Sequence, residues 1–133
     1  MSKVLIFDMD LEDRDMMMDI MTQQGWDRVS CITHQEAMIF FDKLKPDLVL
    51  CNNLMPTVYD GRRFINEIRM RSKSVYIIVL SPLKDKNAVN DMMDLGVDDY
   101  IVKPVDKSLL LWKIKIKFPF VKYIASYPFF IHG

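Results

Sequence analysis

The sequence lacks any excess of charge: 18 Lys and Arg stand against 18 Asp and Glu, a formal net charge of zero. Without a broad basic field there is no electrostatic basis for direct nucleic-acid binding or for adhesion to an anionic membrane. Long apolar runs are missing too. No segment reaches the roughly 20 apolar residues that cross a bilayer, and the apolar start from Met1 to Phe7 is too short for a secretory leader and is broken by Asp8. Cysteine is scarce. Cys31 and Cys51 lie in apolar runs without metal-ligand spacing, so both are expected to be reduced, buried thiols of a cytoplasmic protein. Linkers, repeats and low-complexity stretches are absent before residue 118. What remains is 133 residues, half of them hydrophobic, enough for one globular domain with its own core. The eleven methionines fall mostly at helical spacings and read as core filler.

Strand and helix signals alternate along the chain. Val4 to Phe7 is a short continuous apolar run, as expected of a strand buried on both faces. Asp10, with Asp13 three residues on, caps a helix running to about Gln24 that turns Met17, Ile20, Met21 and Gln24 to one side; Gly25 closes it as a left-handed cap. Arg28 to Ile32 is a second strand. Thr33 and Glu36 form a capping box for a helix from His34 to Leu44. Leu48 to Cys51 is a third strand, followed by a loop with Pro56 and Asp60-Gly61 and a helix from about Arg62 to Met70. Val75 to Leu80, Lys84 to Leu95, closed by Gly96, and Tyr100 to Val102 give strand, helix and strand, and a last helix starts near Lys107. Five strands alternating with five helices through short connections predict a parallel sheet covered on both faces. The ligand site of such a sheet lies at the carboxyl ends of its strands. Those ends are Asp8, Asn52, Ser81 and Lys103.

Four stretches carry a family resemblance. Pro46 to Pro56 with Asp60-Gly61, Ile77 to Ser81, Gly96 to Pro104, and Lys3 to Asp8 resemble, in order and spacing, the third, fourth, fifth and first strands of response-regulator receiver domains and their active loops. The resemblance covers residues 3 to about 117. It implies a doubly wound, flavodoxin-like sandwich with strand order 2-1-3-4-5. It divides the chain into a receiver-like domain, residues 1–117, and an apolar, aromatic extension, residues 118–133. It also implies site roles. The phosphoryl acceptor position falls on Asn52 and the acidic pocket on Asp8, Met9 and Asp10; the phosphate-contacting hydroxyl and lysine are Ser81 and Lys103, the switch aromatic is Tyr100, and the Lys103-Pro104 bond is the cis-proline turn.

Two of these positions depart from the family pattern. Phosphoryl acceptance needs a nucleophilic carboxylate, and the carboxamide of Asn52 is a poor nucleophile. Magnesium prefers hard oxygen donors, and the thioether of Met9 is soft. Asp10 has a competing job as helix cap. A single carboxylate, Asp8, beside a single lysine, Lys103, is already balanced. An Asp8–Lys103 ion pair, direct or bridged by water, is therefore expected, with Asn52 hydrogen-bonded between the two. No cofactor and no catalytic residue are expected, and magnesium binding is expected to be weak or absent. The resemblance then implies a pseudo-receiver acting by protein docking on a histidine kinase or an effector, or regulation of the same fold by another ligand.

The last helix should turn Leu110, Ile114 and Phe118 to the core and leave Trp112 and Ile116 outward as a candidate interface, extended by Phe120 and Tyr123. Trp112, Ile114, Ile116 and Phe118 also alternate with lysines as a strand would, but helix is the reading adopted here. The aromatic tail folds back, exchanges with a second copy in a homodimer, or docks a partner, and the sequence leaves all three open.

A rival reading comes from another class. Asp8-Met9-Asp10 also resembles the first motif of haloacid-dehalogenase-type phosphatases, with Asp8 as nucleophile, Asp10 as general acid or base, Ser81 and Lys103 as the further motif residues and Asp98-Asp99 as an acidic metal pair. Against it stand Leu11 in place of glycine, an acidic pair that precedes the lysine, and the whole Pro46 to Gly61 motif left to coincidence.

Overall fold

The computed structural model describes residues 2–119. Five strands alternate with five helices: β1 Lys3–Phe7, α1 Leu11–Gln23, β2 Asp27–Cys31, α2 His34–Leu44, β3 Leu48–Cys51, α3 Val58–Arg71, β4 Tyr76–Ser81, α4 Lys86–Asp94, β5 Asp99–Val102 and α5 Lys107–Lys117. All strand pairs are parallel, and the order is β2-β1-β3-β4-β5. The central strands β1, β3 and β4 are buried almost throughout, which is why they read as unbroken apolar runs rather than alternating ones.

Side-chain alternation splits the core into two layers. Leu5, Phe7, Val49, Cys51, Ile77 and Val79 face Phe41 of α2, Phe64, Ile65 and Ile68 of α3, and Met92 of α4. Val4, Ile6, Leu48, Leu50, Ile78 and Leu80 face Met17, Ile20 and Met21 of α1 and Leu110 and Ile114 of α5. Each such fully buried aliphatic side chain contributes roughly 1.5–3 kcal/mol of burial free energy. Phe118 closes the second layer edge-on against Trp26 and Tyr76, with ring centroids 5.0 and 6.1 Å away. The alternation of Trp112, Ile114 and Ile116 with lysines thus belongs to a helix: Ile114 is buried, and Trp112 and Ile116 are exposed.

Local chemistry sets the helix ends. Asp10 accepts the Asp13 N–H at 2.9 Å, and Gly25, at φ 81°, follows α1. At α2, Thr33 caps Glu36 as expected, but the box is not reciprocal: the Glu36 carboxylate takes the Thr33 hydroxyl. The full capping box lies at α3, where Thr57 and Asp60 bond each other's backbone, so this helix starts four residues before the expected Arg62. Asp60-Gly61 is its first turn and not a loop. Gly61 is required there because a Cβ would fall 2.0 Å from the Asn53 carbonyl oxygen. α4 starts at Lys86 behind its Asp85 cap. Of the methionines, Met17, Met21, Met38, Met55 and Met92 fill the core, but Met9, Met70 and Met93 are exposed, so the filler reading holds only in part. Cys31 and Cys51 are free and buried; burial pushes the Cys31 thiol up to about 12 and raises that of Cys51 as well. No helix among the described residues is long and apolar enough to cross a membrane.

The amino-terminal end of the sheet is tied by one arginine. Arg69 donates to the carbonyls of Gly96 at 2.7 Å and Val75 at 2.7 Å and to the Asp98 carboxylate at 2.9 Å, and Asp98 also accepts the Ile77 N–H at 2.8 Å. Replacing Arg69 by Met leaves a half-buried carboxylate and carbonyls without their charged donor. Chemical denaturation is expected to show a loss of about 2–4 kcal/mol; a loss below about 0.5 kcal/mol would place Arg69 among ordinary surface residues.

Candidate functional site

The strand order reverses between β1 and β3, and ligands of doubly wound sheets settle at the carboxyl end of that switch point. The residues there are Asp8 after β1, Asn52 and Asn53 after β3, Ser81 at the end of β4, and Lys103 after β5. Asp8, Asn52, Asn53 and Ser81 are all buried polar groups in an otherwise apolar interior.

The expected ion pair is present. Lys103 Nζ lies 2.8 Å from Asp8 Oδ2. The lysine also meets a carboxylate that the sequence reading assigned no site role: Nζ is 2.6 Å from Asp13 Oδ2. One ammonium therefore bridges the end of β1 and the first turn of α1. Burial alone would lower the Lys103 pKa, but hydrogen bonds and charge from Asp13 and Asp8 outweigh it, and the pKa ends above its ordinary 10.5. The other Asp8 oxygen accepts the Asp10 N–H at 2.9 Å, and Arg14 donates to the Asp8 carbonyl at 2.9 Å. Asp10 itself is spent as the α1 cap.

Asn52 departs from its expected place. Its Oδ1 accepts the Leu54 N–H at 3.0 Å and does not lie in a bond between Asp8 and Lys103. The ammonium reaches the carboxylates directly, so no bridging amide is needed, and the amide oxygen turns into its own loop. The neighbouring Asn53, part of the Pro46 to Pro56 motif but given no site role from the sequence, is the second addition. Its Oδ1 accepts the Ser81 hydroxyl at 2.6 Å; Ser81 Oγ in turn accepts the Leu83 N–H at 3.1 Å, and Tyr100 donates its hydroxyl to the Leu83 carbonyl at 2.5 Å. Burial raises the Tyr100 pKa, partly offset by the polar Ser81 and Asn53 side chains nearby. Met9 is exposed at the rim, and the Lys103-Pro104 bond is cis, as is Met55-Pro56.

The donor set is a poor one for magnesium. It offers a thioether at Met9, an amide at Asn52, and two carboxylates already shared by one ammonium. The phosphatase constellation is not assembled either. Asp98 and Asp99 sit at the amino-terminal end of β5, away from Asp8, and are held by Arg69 and Lys113. Trp112 and Ile116 lie outward on α5 as expected, while Phe120 and Tyr123 lie outside the described residues.

Comparison with known proteins agrees with this fold. Residues 4–115 match the response regulator receiver domain family, and the chain belongs to it. It is 33% identical over 113 residues to the probable transcriptional regulator ycf27 of Porphyridium aerugineum, covering 85% of this chain and 46% of that protein. It is 39% identical over 70 residues to the probable C4-dicarboxylate response regulator DctR of Bacillus subtilis, covering 53% of this chain and 30% of that one. The chain thus spans less than half the length of these curated relatives. Among solved structures, the CheY-like receiver domain protein of Methanospirillum hungatei superposes with a TM-score of 0.81 at 22% identity, covering 92% of this chain and 98% of the other. The CheX–CheY–BeF3–Mg complex of Borrelia burgdorferi matches with a TM-score of 0.79 at 26% identity, covering 88% and 89%.

Asp8 is fully buried, so Lys103→Met strands its charge and is expected to cost about 3–5 kcal/mol, whereas Asp13→Asn, at a more exposed carboxylate, is expected to cost about 1 kcal/mol or less. Because the folded pKa of Lys103 is raised, its contribution is complete below the ordinary 10.5 and disappears as pH rises through the folded value. Wild-type stability should fall on that alkaline limb and Lys103→Met should lack this component. Parallel pH profiles for the two proteins would refute the pairing energetics.

Proposed function

We propose that this receiver domain works without accepting a phosphoryl group, as a non-catalytic docking module of a two-component pathway. The observation that carries the reading is Asn52. It stands at the position where the resemblance places the acceptor carboxylate, is neutral, and has its side-chain oxygen engaged by Leu54. The Lys103 bridge supports it: an ammonium of the chain itself lies between the two carboxylates, so no metal is needed to hold Asp8 and Asp13 together.

Docking falls to the face built from α5 and its neighbours. Leu109, Trp112 and Ile116 form an exposed stripe along α5, with Val102 at the end of edge strand β5 and Met93 on α4 also exposed. Aromatic and aliphatic groups of this kind, with Lys107 and Lys115 exposed on the same helix, make up the centre of protein interfaces. A kinase or effector protein is the partner class proposed, and a second copy of the chain is the alternative occupant. The cytoplasm is proposed as the domain's compartment.

The test is intact mass after incubation with magnesium and a small phosphoryl donor, with Asn52→Asp treated in parallel. The wild type is expected to stay unmodified while Asn52→Asp gains one phosphoryl mass. A stable adduct on the wild type would overturn the proposal, and an adduct mapped to Asp8 would revive the phosphatase reading.

A further inference from the structure

The buried polar groups at the end of β3 and β4 are not all explained by the ion pair. Ser81 is fully buried, and its hydroxyl needs an acceptor at that depth. Asn53, also fully buried, supplies it at 2.6 Å. Asn53 is itself held from behind, since α3 packs so closely on its backbone that only a glycine fits at position 61. Ser81 Oγ then fixes the Leu83 N–H, and the Leu83 carbonyl takes the Tyr100 hydroxyl. The hydrogen bonds run one way without a gap: Asn53 orients Ser81, Ser81 orients Leu83, and Leu83 orients Tyr100. They link the β3–α3 loop, the β4–α4 loop and edge strand β5 through side chains, in addition to the β4–β5 ladder that already pairs Ser81 with Val102. Every member is neutral, so no ion is required to set the arrangement.

We infer that Asn53 is the positioning residue that holds the β4–α4 loop and Tyr100 in one fixed state, so that the face next to α4 and β5 is presented constantly. The inference deepens the proposed function and rests on its reading that no phosphoryl group enters to compete for the Ser81 hydroxyl. The loop is latched from inside the chain, and a partner meets it already in place. A receiver latched this way supplies a standing surface instead of a switched one.

Amide hydrogen exchange at Leu83, read by NMR on the full chain, tests this, with the Tyr100 ring resonances as a second reporter. Asn53→Ala is expected to speed Leu83 exchange by about tenfold or more and to shift the Tyr100 ring, because Ser81 loses its orienting acceptor. Ser81→Ala should reproduce both effects. Asn53→Asp keeps an acceptor oxygen and should leave Leu83 protected. Tyr100→Phe cuts only the last link and should leave the Ser81–Leu83 bond protected. If Asn53→Ala fails to fold, Ser81→Ala and Asn53→Asp carry the comparison. Unchanged Leu83 exchange in Asn53→Ala, or in Ser81→Ala where only that variant folds, would overturn the inference. Intact mass on the same samples separates the two proposals. A wild type that takes a phosphoryl group while Leu83 still depends on Asn53 sinks phosphorylation-independence and keeps the latch. An unmodified wild type whose Leu83 ignores Asn53 does the reverse.

Discussion

An ammonium shared by two carboxylates organises the carboxyl end of this sheet. Asp8 directly follows the buried strand β1 and is itself fully buried, and an ionised carboxylate there is costly without a partner at close range. Lys103 provides that partner from the turn after β5, and by reaching Asp13 as well it joins the first turn of α1 to the same point. Three separate segments thus meet at one charge. The backbone of Asp10, donating to the second Asp8 oxygen, completes the shell. The result is a centre in which the buried Asp8 carboxylate is paired by the chain itself, while Asp13 stays partly open to water.

Around this centre the site divides into two halves with different chemistry. On the β1 side the bonds are ionic. On the β3–β4 side they are neutral, passing from Asn53 through Ser81 and Leu83 to Tyr100. Asn52 stands between the halves and joins neither, its amide oxygen satisfied by Leu54. The opposite end of the sheet is fastened independently by Arg69 and Asp98, so the site loops are built on a frame secured at its far edge.

Much of this was legible in the residues. The buried strands announced themselves as apolar runs, the order of elements predicted a parallel sheet, and Asp8 and Lys103 followed as a pair once their strand ends were placed together. Other features were hidden for physical reasons. Asp60-Gly61 has the composition of a turn, yet it lies in the first turn of α3, where Asp60 completes the Thr57 box and the close approach of the Asn53 backbone requires Gly61. The capping box at Thr57 uses Asp at its third position instead of Glu or Gln, so the usual signature did not flag it. Asp13 looked like helix-start acidity, and its contact with Lys103 depends on a tertiary crossing that no local pattern encodes. Asn53 lies just past the end of β3, where strand alternation no longer tells which way a side chain points; its adjacency to Asn52 was the one available hint.

The claim at the centre of this account is that Lys103 already stands where a metal cation would bridge Asp8 and Asp13. Thermal melting of the wild type with and without about 10 mM magnesium, at constant ionic strength, tests it most directly. A specific site with millimolar or tighter affinity would raise the melting temperature by several degrees in a saturable way. The account predicts a change of no more than about one degree, equal to that given by a monovalent control. A saturable rise of several degrees, abolished by Asp8→Asn, would contradict it.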